Sequence, residues 1–292
     1  MLPDDIAPPD AIAYLNGELV PLKDARVSVL DRGFIFGDAV YEVIPVYNRI
    51  PHRLAGHLAR LRGSLAAIGI QNPHDDAQWE ALFRQTIARN PHEDQALYLQ
   101  VTRGIARRDH AFPAGATPTV FVMCNKLVTP SEQAIAEGVK AMTFPDNRWL
   151  RCDIKSTSLL PNILLRQAAV ARGCAEAVML RDGLLTEGAA SNIFVVKNGV
   201  LLTPPKSHLI LPGITYDVVL DLAGRAGLPV ELRAVSEAEV HAADEIWLTS
   251  STREVLAITT LDNKPVGSGK PGPVFRSMHA LFQQDKRSGA HR

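Results

Sequence analysis

Arg148-Trp149-Leu150-Arg151-Cys152-Asp153-Ile154-Lys155-Ser156 carries a lysine inside a partly apolar stretch. Downstream, Thr186-Glu187-Gly188-Ala189-Ala190-Ser191-Asn192-Ile193-Phe194 reads as a turn, holding one carboxylate, that enters a strand. The Lys155 amine can condense with an aldehyde, and the Glu187 carboxylate can hold a protonated ring nitrogen. Each stretch is ambiguous by itself. Most lysines are solvated surface groups, and Thr186-Glu187-Gly188 alone is a polar turn. Their meaning comes from the rest of the chain.

With 292 residues the chain is too long for one small core and suits two α/β domains. Hydrophobic content is 46% and charged content 21%, which is ordinary globular composition. Lys plus Arg is 31 and Asp plus Glu is 31, so no broadly basic surface for nucleic acid is expected. Cys124, Cys152 and Cys174 are scattered without a Cys-x-x-Cys pair. That pattern argues against a disulfide framework or a zinc site and for a reducing, cytoplasmic setting. Pro3, Asp4, Asp5, Pro8, Pro9 and Asp10 give the start no basic segment and no apolar core, so no secretory signal is read there. No apolar run approaches membrane-spanning length.

Tyr14-Leu15-Asn16-Gly17-Glu18-Leu19-Val20 predicts a hairpin, because Asn-Gly favours the positive φ angles of a tight turn. Residues 39–47 alternate as a strand. Leu58, Leu61, Leu65 and Ile68 share a helical face that Gly69 can end. Asp75 or Asp76 can cap a second helix bearing Trp79, Leu82, Phe83 and Ile87. Strands are expected at 96–102 and 119–125. This β-β-α-α-β-β unit makes a small N-terminal α/β domain over 1–125. Pro130 and a lack of apolar anchors set a linker at 126–136. A larger domain, 137–292, is expected to hold strands at 138–144, 177–180, 192–197, 200–203 and 245–249. Asp182-Gly183 and Asn198-Gly199 supply hairpin turns. Helices are expected at 162–172, from Gly213, and at 274–283, followed by a polar, frayed tail from Asp285 to Arg292.

A lysine and a carboxylate of this kind are what pyridoxal phosphate requires, together with a cradle for its phosphate. A Schiff-base lysine must be desolvated or placed near positive charge, which Arg148 and Arg151 could supply. An ionised Glu187 would keep the ring nitrogen protonated and strengthen the electron sink. Three features suit the phosphate. Arg60 offers a guanidinium fork, or is a solvated helix-face arginine. Gly213-Ile214-Thr215 opens a helix whose first amides favour an anion, or simply starts a helix. Thr249-Ser250-Ser251-Thr252 follows a strand and offers hydroxyls and turn amides, or is an N-cap cluster before Arg253 and Glu254.

Taken with Tyr14-Leu15-Asn16-Gly17 and Asp31-Arg32-Gly33-Phe34-Ile35-Phe36-Gly37-Asp38, these stretches resemble the class IV aminotransferases, the fold-type IV pyridoxal phosphate enzymes. The resemblance covers nearly the whole chain. It implies an α/β (α+β) two-domain fold whose larger C-terminal domain is a pseudo-barrel. It also implies that Arg60, Lys155, Glu187, Ile214, Thr215, Ser250 and Ser251 hold the cofactor, with Lys155 catalytic and no metal.

Substrate-facing residues separate the family's members. Arg107-Arg108-Asp109-His110 in the stretch 101–113 puts a guanidinium and an imidazole on one loop, where both can donate to an α-carboxylate. Its plainer reading is a solvated charged loop. Arg108-x-His110 resembles the carboxylate trap of the D-amino acid aminotransferases, where the pair reaches the neighbouring subunit of a homodimer and meets a tyrosine, here Tyr41. The expected activity is ping-pong transfer of an amino group from a D-amino acid (D-alanine, D-glutamate or D-aspartate class) to a 2-oxo acid. Branched-chain L-aminotransferase is the alternative, and aminodeoxychorismate lyase a more distant one. Ala189 and Ala190 depart from the serines found after Glu-Gly in D-amino acid enzymes. Arg107 adds a second guanidinium that could meet a side-chain carboxylate.

Overall fold

A computed structural model describes residues 10–288. The readings of residues 1–9 and of the last four residues of the tail lie outside them. The described chain forms two compact units. One runs through Leu127 and also takes Ile154–Ser158, and the other comprises Val128–Asp153 and the chain from Leu159 onward.

The first unit runs β1 (Ile12–Leu15), β2 (Glu18–Pro21), α1 (Arg32–Phe36), β3 (Ala39–Tyr47), β4 (Ile50–Pro51), α2 (Leu54–Ala67), α3 (Asp76–Ala88), β5 (Gln95–Thr102) and β6 (Thr119–Lys126). Its antiparallel sheet has the order β2-β1-β6-β5-β3-β4. Asn16 and Gly17 turn the β1–β2 hairpin at φ 51° and 108°, as the Asn-Gly pair requires. Asp75 caps α3 in a reciprocal capping box with Gln78. The core joins Leu58, Leu61 and Leu65 of α2 and Trp79 and Phe83 of α3 to Val40, Leu97, Leu99 and Val122 of the sheet. Each such side chain stabilises the fold by about 1.5–3 kcal/mol on burial.

The first unit departs from the sequence reading in α1 and in a late segment of the chain. α1 is too short for periodicity to reveal. Asp31 caps it by accepting from the Gly33 amide at 2.8 Å, and Gly37 closes it at φ 66°. The late segment is Ile154–Ser158, which belongs to the first unit although it follows the expected boundary. Ile154 enters the core, Ser156 bridges Val40, and the Tyr41 amide donates to the Lys155 carbonyl at 2.9 Å. The expected linker, 126–136, contains the end of β6 and most of α4 (Glu132–Glu137), which Ser131 caps.

The second unit continues with β7 (Val139–Pro145), α5 (Leu160–Val170), β8 (Glu176–Arg181), β9 (Leu184–Gly188), β10 (Asn192–Lys197), β11 (Val200–Thr203), α6 (Ile214–Arg225), β12 (Val230–Leu232), α7 (Glu237–His241), β13 (Glu245–Ser250), β14 (Glu254–Leu261), β15 (Lys264–Pro265) and α8 (Pro273–Ser288). The sheet has the order β12-β11-β10-β13-β14-β7-β8-β9, with β15 on β14. Asp182-Gly183 and Asn198-Gly199 make its hairpin turns at positive φ.

β9 stands five places from β10 in that order, yet only Ala189, Ala190 and Ser191 join them. A flat sheet would separate the two by about 24 Å. Four chain steps reach at most about 15 Å. The sheet therefore curls on itself as a pseudo-barrel. Glu187 lies in strand β9 and not in a turn; the turn is 189–191. Thr249-Ser250-Ser251-Thr252 ends β13 and turns into β14, so it caps no helix. Nor does the tail fray at Asp285: α8 continues to Ser288, Asp285 is buried, and Lys286 pairs with Glu254 at 2.9 Å.

Candidate active site

In the first unit, Lys155 stands on the short segment along the edge of β3. Ile154 points into the core, so alternation sends Lys155 the other way. Its Nζ lies 4.2 Å from the centre of the Tyr41 ring, a cation–π contact. Its amide donates to Ser64 Oγ at 3.2 Å.

Glu42 follows Tyr41 on the strand and faces the core. It accepts from Arg60 Nε at 2.8 Å and Nη2 at 2.7 Å, and contacts His57 Nδ1 at 2.8 Å. Burial raises the Glu42 carboxyl, but Arg60 and His57 outweigh it and hold it at about 2. Burial lowers His57 despite the pull of Glu42. Arg60 is thus no solvated helix-face residue: a buried carboxylate fixes two of its five N–H groups.

The loop bearing Arg107, Arg108 and His110 is exposed. His110 packs on the Phe36 ring at 5.4 Å between centroids, and the Arg108 guanidinium lies 5.6 Å from the same ring.

In the second unit, Glu187 is buried among donors. Arg148 Nη1 donates to it, the Leu211 amide lies 3.0 Å from Oε2, and Asn192 Nδ2 donates at 3.2 Å. Burial pushes its carboxyl up to about 7 against the pull of Arg148. Asp146 takes the other side of the Arg148 guanidinium, at 2.9 Å from Nε and 2.8 Å from Nη2. Arg151 pairs with Asp153. Carboxylates thus pair with both Arg148 and Arg151, and Arg148 serves Glu187.

Asn192 ties this carboxylate to two neighbouring elements. It pairs in register with Thr249, and its Nδ2 donates to the Leu211 carbonyl at 2.9 Å, just before α6. Gly213 is the N-cap of α6 and brings no side-chain cap, and Thr215 is buried at the same end. A Cβ on Gly213 would lie 2.1 Å from Asn192 Oδ1, so any larger residue there would push Asn192 aside. Ser250 and Ser251 lie in the next turn, where Ser250 Oγ accepts from the Arg253 amide at 3.1 Å.

A family model described as amino-transferase class IV matches residues 39–261. A D-alanine aminotransferase of Bacillus licheniformis is 43% identical over 268 residues, 92% of this chain and 94% of that protein. The chain belongs to the class IV aminotransferases. Among solved structures of this class, the branched-chain amino acid aminotransferase of Escherichia coli matches with a TM-score of 0.88 at 26% identity, over 94% of this chain and 93% of that one. The branched-chain aminotransferase of Thermoproteus uzoniensis with norvaline matches with a TM-score of 0.84 at 27% identity, over 94% and 93%. The fold is therefore the two-domain α+β fold of fold type IV.

The second unit of this class IV chain fits a pyridoxal phosphate on two further observations. Thr249 Oγ1 is buried without a hydrogen-bond partner among the described residues, which is costly unless something else binds it. The α6 amides open without a capping side chain, which suits an anion. Sequence reading missed the roles of Arg148, Asn192, Thr249, Glu42 and His57. His57 and Arg60 at i and i+3 shared a helix face, and that spacing was the available signal.

Proposed function

We propose that the chain is a pyridoxal-phosphate-dependent D-amino acid aminotransferase of the D-alanine class. The buried Glu187, held by Arg148 and Asn192 near an uncapped helix start, carries the cofactor reading. Handedness rests on the identity with a D-alanine aminotransferase and on Arg108-x-His110.

When bound, pyridoxal phosphate supplies the electron sink for the pair left at the substrate Cα. Lys155 would hold it covalently, and its Nζ, once released by the incoming substrate amine, would take the proton from the substrate Cα as general base. Glu187 would meet the ring nitrogen. Arg60, the Ile214 and Thr215 amides, Ser250 and Ser251 would hold the phosphate. Tyr41, Arg108 and His110 hold the α-carboxylate, which sets the face of Cα that meets Lys155. The cycle is ping-pong, with a 2-oxo acid as second substrate.

Arg108 and His110 act in the neighbouring site of a homodimer. Leu30, Phe34 and Ile105 support this, because they are large apolar residues, more than half exposed, on the backbone tied by the Asp31–Ile105 bridge. Exposed apolar clusters mark association surfaces. No helix among the described residues is long and apolar enough to cross a membrane. A cytoplasmic setting suits three free, buried cysteines; burial pushes Cys124 up to about 12 and Cys152 to about 11, away from reactive thiolate.

The test is the visible spectrum of the cofactor-loaded protein on adding D-alanine, L-alanine or L-leucine. Bleaching of the visible band by D-alanine alone supports the proposal. Bleaching by the L-amino acids alone favours the branched-chain reading and removes Arg108 and His110 from it. A protein that never takes up the cofactor overturns the reading of Lys155 and Glu187.

A further inference from the structure

Asp31-Arg32-Gly33-Phe34-Ile35-Phe36-Gly37-Asp38 has no task in the site proposed above. The side chains of Arg32 and Phe36 nevertheless converge on one loop. Arg32 is only 3% exposed. Its Nη1 donates to the Asp109 carbonyl at 2.5 Å and the Ala111 carbonyl at 3.3 Å, and its Nη2 to the His110 carbonyl at 3.4 Å. One guanidinium thus grips three consecutive carbonyls of the Arg108–His110 loop. Phe36, one turn along α1, lies under the His110 ring and the Arg108 guanidinium.

This platform is itself anchored. Asp31 Oδ2 accepts from the hydroxyls of Thr102 at 3.0 Å and Thr119 at 2.7 Å. Asp38 accepts from Arg32 Nε at 2.7 Å and from Arg103 Nε at 2.7 Å. Arg103 continues to the Ile68 and Gly69 carbonyls at 2.6 and 3.1 Å, and its guanidinium stacks 3.6 Å from the Phe112 ring. Both ends of the loop are therefore tied to α1 and the end of α2, while Arg108 and His110 project outward. Long exposed side chains recognise a carboxylate only if the backbone beneath them holds still.

We infer that Arg32, with Phe36, is the positioning residue for α-carboxylate recognition: it fixes the backbone from which Arg108 and His110 reach the substrate. The inference rests on the carboxylate-binding reading of those two residues. An arginine suits position 32. A lysine could keep the pair with Asp38, but its single ammonium cannot span three carbonyls.

The experiment compares D-alanine with D-alaninamide, which lacks the carboxylate charge, as amino donors for the cofactor-loaded enzyme. The readout is the ratio of their kcat/KM values. Arg32→Lys should lower that ratio about tenfold, mainly through KM for D-alanine, as expected for a misplaced binding group. Pyridoxal phosphate affinity should hold. Phe36→Leu keeps an apolar side chain and should lower the ratio severalfold; it carries the test if Arg32→Lys does not fold. Arg108→Ala is the control and should lower the ratio by more than either. If Arg108→Ala leaves the ratio intact, the carboxylate reading itself is wrong. If Arg108→Ala collapses it while Arg32→Lys and Phe36→Leu hold it, the positioning role alone is overturned. An equal loss with both donors makes Arg32 merely structural and also overturns the inference.

Discussion

Arg148 joins Glu187 to Asp146, its Nη1 on one carboxylate and its Nε and Nη2 on the other. One guanidinium thereby serves two buried acids with opposite tendencies. Asp146 is raised by burial, but Arg148 brings it down to about 2. Burial keeps Glu187 raised at about 7, since the same arginine is shared and Asp146 repels it. A carboxyl raised to about 7 would be drawn to its charged form by a protonated ring nitrogen placed beside it.

Arg148→Met leaves two buried acids without their shared cation. The expected destabilisation is about 3–5 kcal/mol, the cost of breaking a buried ion pair from one side. Arg148→Lys keeps the charge but loses the fork, so it should cost less. Denaturant unfolding at pH 7 measures both. A methionine variant as stable as the parent would mean that the guanidinium carries no such load.

Gly213→Ala tests the junction of Asn192 and α6. The glycine φ is −70°, so alanine is allowed by the backbone and any defect is steric. The new Cβ would sit 2.1 Å from Asn192 Oδ1, and Asn192 must move. That displacement reaches Glu187 through the 3.2 Å hydrogen bond. Pyridoxal phosphate affinity should fall about tenfold or more, the scale of losing one supporting contact. Equilibrium titration of the apoprotein is the measurement, and unchanged affinity would detach Asn192 from the site.

Much of the fold was legible because it was local. Asn16-Gly17, Asp182-Gly183 and Asn198-Gly199 turn where their positive φ preference says, and the strand at 39–47 needed only alternation. What stayed hidden was non-local or short. Arg148 sits beside Cys152 and Asp153 in sequence, yet its partner Glu187 is 39 residues away. α1 has five residues, fewer than two helical turns. Thr249 stood in a quoted motif, but only burial distinguishes its orphan hydroxyl from those of Ser250 and Ser251. In the candidate site, residue types were readable and their supporting partners were not.

Acid sensitivity follows from Glu42. Its carboxyl is at about 2 in the fold against an ordinary 4.5. A depressed acid stabilises the fold above the ordinary value, and that contribution is lost as pH falls from about 4.5 towards 2. Glu42→Gln mimics the protonated acid. The stability gap between parent and variant should be widest near pH 7 and close as pH falls through that window. Glu187, being raised, acts with the opposite sign between 4.5 and about 7, but it is common to both proteins and cancels. A gap that does not vary with pH would sever Glu42 from Arg60 and His57 energetically.

Lys155 can be removed without removing its scaffold. The segment is held by backbone: the Tyr41 amide donates to the Lys155 carbonyl at 2.9 Å, the Lys155 amide to Ser64 Oγ at 3.2 Å, and Ile154 anchors the core. Lys155→Ala should therefore fold, with the contact to the Tyr41 ring, about 0.5–1 kcal/mol, among what it loses. Lys155→Arg should recover that contact, since a guanidinium also rests on an aromatic face, but it offers no amine to condense. Both variants should lose turnover by at least about a thousandfold. Borohydride reduction separates chemistry from binding. The parent protein should gain the mass of one reduced cofactor per chain, and neither variant should. Fixation of the cofactor in Lys155→Ala would place the reactive amine elsewhere in the chain.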